Sequence, residues 1–112
     1  MKSDQIESLA RRVLKFALLR HVYGGHPDPY VQGMTRVASG GYSDVFEEWR
    51  KAVAEEGVLT DPTYRDRVLA ALRAGLLEAR LAIEEMLANV RIDDGGAVAS
   101  FVEGFQPETY LP

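Results

Sequence analysis

The chain has 112 residues, of which 17 are acidic and 13 basic, with no cysteine and a 46% hydrophobic content. This is the composition of about one globular domain with a modest core. The absence of cysteine excludes disulfides, thiolate metal sites and thiol catalysis, and it agrees with a reducing compartment. A net charge of −4 with no basic run argues against nucleic acid, whose phosphates need a concentrated cationic face.

No stretch approaches the ~20 apolar residues of a membrane span. Asp4 and Glu7 stand where a signal peptide would carry its basic and apolar regions, so the expected location is the cytoplasm. The charge is unevenly placed. Residues 1–91 hold 13 acids and 13 bases, and residues 92–112 hold four acids and no base. The chain therefore divides into a charge-balanced helical domain, 1–91, and an acidic, aromatic C-terminal segment, 92–112.

The first predicted helix is Asp4–Val22, opened by Ser3 or Asp4 as a cap and by Glu7 three residues on. Ile6, Leu9, Val13, Phe16 and Ala17 recur at helical spacing on one face, and Leu14 and Leu18 form a second apolar line. A helix apolar on two sides contacts two things, here read as its own core and a partner. Gly24-Gly25 ends it, and His26-Pro27-Asp28-Pro29 is a stiff loop because each proline fixes its own φ.

Tyr30–Ser39 is expected as a short helix weakened by Gly33, with Val31, Met34 and Val37 three apart. Gly40-Gly41 is expected to break the chain, after which Ser43 caps a helix to Glu56 with Phe46, Trp49 and Val53 on one face. Glu47 and Lys51 are spaced as an i,i+4 pair, and Gly57 closes that helix.

Thr60-Asp61-Pro62 places a capping side chain before a proline at the first helical position. Tyr64, Val68, Leu72, Leu76, Ile83, Leu87 and Val90 then hold one stripe, with Leu69 and Met86 beside it, predicting a long helix over 62–91. Gly75 inside it costs about 1 kcal/mol relative to alanine unless a neighbour packs closely there. Arg65, Arg73 and Arg80 lie on its outer face near Asp66, Glu78, Glu84 and Glu85.

Asp93-Asp94-Gly95-Gly96 is the strongest turn signal, followed by a short amphipathic segment carrying Val98, Phe101, Val102 and Phe105 and by an extended tail. No period-two run of β-branched residues occurs, which excludes a substantial sheet. The predicted fold is all-α: a small helical bundle built around the long helix, with short extra helices and an extended C-terminal tail.

For function, the sequence offers no convergent catalytic set. Gly-x-Ser-x-Gly and phosphate-loop glycine patterns are missing, the glycine pairs read as helix stops and turns, and adjacent glutamates on a helix point about 100° apart. The leading expectation is a non-enzymatic protein–protein interaction module: a small subunit, an adaptor, or an inhibitor or immunity-type binder. Its expected contacts are Phe101, Phe105, Glu108, Tyr110 and Leu111 in the tail, steered to a basic groove on a protein partner, together with Leu14 and Leu18. Part of the apolar surface is expected to be buried in a homodimer or a larger assembly, with no cofactor.

One alternative is a small metal-dependent enzyme or ligand-binding protein using His21, His26 and Asp28, with Tyr23 or Tyr30 as a proton donor. Imidazoles and a carboxylate can bind a divalent cation and titrate near neutral pH. The opposing reading is that His21 answers the helix dipole and the aromatic residues cover the loop. A viral structural adaptor is a further alternative, by shape analogy.

Overall fold

A computed structural model describes residues 2–24, 29–55, 61–89 and 95–111. They form four helices, α1 (Lys2–Gly24), α2 (Pro29–Glu55), α3 (Pro62–Asn89) and α4 (Gly95–Glu103), followed by a 3-10 turn over Pro107–Tyr110. The described residues contain no strand, and the fold is all-α as the periodicity predicts. Among the described residues, no helix is long and apolar enough to cross a membrane. The molecule measures 44 × 23 × 22 Å, its long dimension matching that of α3, about 42 Å at 1.5 Å per residue.

α1 lies between α2 and α3 and packs along both, while α4 rests on α1 and α3. This arrangement explains why α1 is apolar on two sides and corrects one expectation about it. Leu14 and Leu18 are fully buried inside the chain, so they offer no face to a partner. The two things that α1 touches are two helices of the same chain. Exposed ion pairs edge both contacts, Arg11 to Glu78 of α3 at 3.5 Å and Arg12 to Glu48 of α2 at 3.7 Å. Such pairs contribute little, and burial of Leu14, Leu18, Trp49, Leu72 and Ile83 holds the layers together.

α3 follows the sequence closely. The Asp61 Oδ1 accepts the Thr63 N–H at 2.9 Å, and the Asp61 carbonyl accepts the Arg65 N–H at 3.1 Å, so Asp61 caps the helix and Pro62 opens it. Val68, Leu69, Leu72, Leu76, Ile83 and Leu87 are buried, whereas Tyr64, read as part of the same stripe, is 39% exposed. Gly75 is buried, and a Cβ there would stand 3.2 Å from the Ala10 carbonyl carbon and from the Arg11 nitrogen. The close neighbour that justifies a mid-helix glycine is therefore the backbone of α1.

α2 departs from the expectation. Gly40-Gly41 does not break the chain, and Ser43 lies inside a single helix that continues to Glu55. Two interior glycines disfavour a helix locally by about 1 kcal/mol each, but packing of an amphipathic face outweighs propensity. Val45, Trp49, Ala52 and Val53 supply that buried face. At Gly41 the Phe16 ring occupies the space, since a Cβ would lie 2.7 Å from its Cε1, whereas at Gly40 nothing lies within 4 Å.

These two glycines should therefore answer differently to substitution. Gly40→Ala is expected to stabilise by up to about 1 kcal/mol, and Gly41→Ala to lose that gain by displacing the Phe16 ring. Thermal melts of the two single variants measure the difference, and equal shifts would refute the close-approach explanation.

Gly95 and Gly96 are the first residues of α4. The Gly25, Gly57, Thr60, Val90, Arg91, Asp93 and Asp94 positions lie outside the described residues. The same holds for the side chains of Ser3, Asp4, Val31, Met34 and Val37.

Candidate functional site

The C-terminal segment is folded onto the chain that carries it. Beyond α4, the turn Pro107–Tyr110 rests on α3, and Pro107 is buried. The Trp49 Nε1–H of α2 donates to the Tyr110 carbonyl at 2.8 Å. The segment thus reaches both helices that flank α1. The Thr109 hydroxyl and N–H both donate to the Gln106 carbonyl, at 2.8 and 3.1 Å, which closes the turn on itself.

Ring contacts continue the attachment. Tyr110 meets Phe46 edge-on at 6.3 Å and Phe105 at 5.8 Å, and Phe101 lies 6.3 Å from Phe105 and 5.4 Å from the His21 ring. Tyr42 stacks on Phe46 at 5.4 Å, with the Arg20 guanidinium 4.3 Å above the Tyr42 ring.

Phe101, Phe105, Tyr110 and Leu111 are half-buried against the core and form one cluster in cis. The tail expected to be extended is instead folded onto the chain, because Trp49, Phe46 and His21 of α1 supply a hydrogen bond and ring contacts to it. Glu103 and Glu108 face solvent. An open hollow of about 280 Å³ remains between α1 and this segment, edged by His21, Ser100, Phe101 and Tyr110.

Burial pushes the Tyr110 phenol from its ordinary 10.0 up to about 12; Tyr42 adds to the shift and Arg20 opposes it. A raised folded-state pKa favours the neutral phenol. Its stabilisation is therefore present below pH 10 and is lost as pH rises through about 12. Tyr110→Phe is expected to remove that part of the alkaline sensitivity. Melting temperatures of both forms across this window check it, and parallel curves would refute it.

The metal-binding alternative gains no geometry. His26 and Asp28 lie outside the described residues, and so does the Tyr30 side chain. His21 is exposed against Phe101. Tyr23, read as a loop proton donor, is instead 1% exposed in the core, its hydroxyl 3.7 Å from the Met86 sulfur. Among the described residues, no group of three His, Asp or Glu side chains is placed to hold a metal ion.

The surface that the sequence reading missed is on α3. Leu77 and Leu81 are 60% and 61% exposed, one helical turn apart. Ala70, Ala74 and Ala88 are exposed as well, and the steps 70, 74, 77, 81 and 88 put all five on one line opposite the buried face. That spacing was available in the sequence, but the alanines are weak signals, and the surrounding arginines and glutamates mark the same side as solvated. Arg80 and Glu84, 2.9 Å apart, edge this line.

Comparison with protein-family models, curated proteins and solved structures found no match. Fold and surface together define a small all-α bundle whose central helix packs between two helices of its own chain and whose α3 bears a second apolar stripe.

Proposed function

We propose that the chain is a non-enzymatic protein–protein interaction module that binds through the outer face of α3. The observation that carries this reading is the pair Leu77 and Leu81, held on a rigid helix and 60% and 61% exposed. Scattered surface leucines are ordinary, but two on adjacent turns within a line of alanines make a continuous apolar strip. The folded C-terminal segment then serves as part of the scaffold, and its exposed Glu103 and Glu108 give that end of the molecule its acidic charge. A cysteine-free chain suits a reducing compartment such as the cytoplasm.

A photo-crosslinking amino acid placed at position 77 or 81 in cells tests the reading, with position 54 on the exposed side of α2 as the control. Specific adducts are expected from 77 and 81 and not from 54. Failure of both α3 positions to give a protein adduct would overturn it. The substituted positions are exposed, so fold stability is expected to change by no more than about 0.5 kcal/mol.

A further inference from the structure

We infer that the occupant of this α3 face is a second copy of the chain, bound antiparallel, α3 against α3, about a two-fold axis near Leu77. The inference rests on the interaction reading above and adds the identity and orientation of the partner.

Shape supports it first. The strip pairs large with small residues: Ala70 and Ala74 in its first half, Leu77 and Leu81 beyond. With the axis between positions 77 and 78, equal steps along the two helices bring Leu81 of each copy level with Ala74 of the other. Leu77 then meets its own equivalent. The steps 70, 74, 77 and 81 alternate four and three, which is the repeat that two helices share along a seam. Leu81 thus falls where the opposite helix is thin, and the two Leu77 side chains pack on each other beside the axis.

Charge fixes the direction. The first half of α3 carries Arg65, Arg67 and Arg73 with Asp66, and the second half carries Glu78, Glu84 and Glu85 with Arg80. The first turn of α3 has no acid and the last turn no base, so this order does nothing to complement the helix dipole. Parallel pairing would set like halves together. Antiparallel pairing about the same axis sets Arg73 near Glu84 of the other copy on one flank, and Arg67 near Glu85 on the other. The Leu77 contact, both Leu81–Ala74 pairs and both charge flanks are then satisfied by one symmetry operation, which closes the assembly at two copies. α1, by contrast, has no exposed large apolar side chain to offer, and the tail's rings are engaged in cis.

The test is sedimentation equilibrium of the full chain from low to high micromolar concentration. The expected mass is twice the 12.4 kDa of one chain. Leu77→Glu with Leu81→Glu is expected to give 12.4 kDa with unchanged helicity, since both positions are exposed. Arg67→Glu and Glu85→Arg, each alone, are expected to weaken association roughly tenfold or more, and an equimolar mixture of the two is expected to form the mixed dimer.

A wild-type mass of one chain throughout would overturn the inference, and so would a dimer indifferent to the double leucine substitution. If the chain is monomeric while position 77 crosslinks in cells to a different protein, the interaction reading stands and the second copy falls. If neither occurs, both fall.

Discussion

Trp49→Ala is expected to be the most damaging single substitution in the molecule, destabilising it by about 3–5 kcal/mol. Trp49 is fully buried on α2, the largest such side chain in the core, and its indole N–H holds the Tyr110 carbonyl at 2.8 Å. Truncation therefore opens a cavity in the α1–α2 layer and releases the C-terminal segment from α2 in the same step. A loss of this size consumes much of the roughly 5–15 kcal/mol by which domains of this size are folded. At about 4–8 °C per kcal/mol it lowers the melting temperature by roughly 12–40 °C.

Trp49→Phe separates the two contributions. The ring volume largely remains, the donor is lost, and the expected effect is about 1 kcal/mol. Deleting residues 106–112 removes the same hydrogen bond from the other side, together with Pro107 and the Tyr110 ring. It is expected to destabilise the fold and to shift Trp49 fluorescence to longer wavelength. Denaturant unfolding of the three variants gives the order, and a truncated chain as stable as the parent would show that the segment is no part of the fold.

Gly75 is the second sensitive position. In an unpacked helix, Gly75→Ala would stabilise by about 1 kcal/mol. Here the added Cβ would stand 3.2 Å from the Ala10 carbonyl carbon and the Arg11 nitrogen and 3.3 Å from the Ala10 oxygen. These are backbone atoms of a helix already pressed against α2, so α1 has nowhere to retreat without opening its other interface. The sign is expected to reverse, with Gly75→Ala destabilising by about 1 kcal/mol. Gly75→Leu, which inserts a whole side chain between two helices, should destabilise by about 3 kcal/mol or more. Calorimetry on Gly75→Ala beside Gly40→Ala makes the comparison internal, because nothing lies within 4 Å of a Cβ at Gly40. If both variants gain stability equally, the α1–α3 approach is not the reason for the glycine.

The contrast between these glycines also explains how far the sequence could be read. Periodicity shows which side of a helix is covered. It therefore gave the buried face of α3, its Asp61-Pro62 start and the two-sidedness of α1. What does the covering is a long-range fact. Leu14 and Leu18 pointed to a second contact without saying that a helix of the same chain supplies it.

Gly40-Gly41 carries a local signal for a break, and the opposing term, the Phe16 ring above Gly41, lies on another helix. The aromatic tail had the same ambiguity. Phe101, Phe105 and Tyr110 announced burial, and the site of burial depended on Trp49, which is 61 residues from Tyr110. The interaction strip on α3 was hidden for a different reason, since three of its five residues are alanines set among opposite charges.

The enclosed position of α1 has a consequence for how the chain becomes folded. α1 and α2 are neighbours in sequence and can pair as a hairpin, but that hairpin leaves the side of α1 around Ala10 bare until α3, with Gly75, arrives from more than sixty positions further on. A fragment ending after α2 should therefore expose an apolar surface and self-associate rather than persist as a small stable unit. The folded state should accordingly appear in one cooperative step, when α3 closes over a helix made long before it.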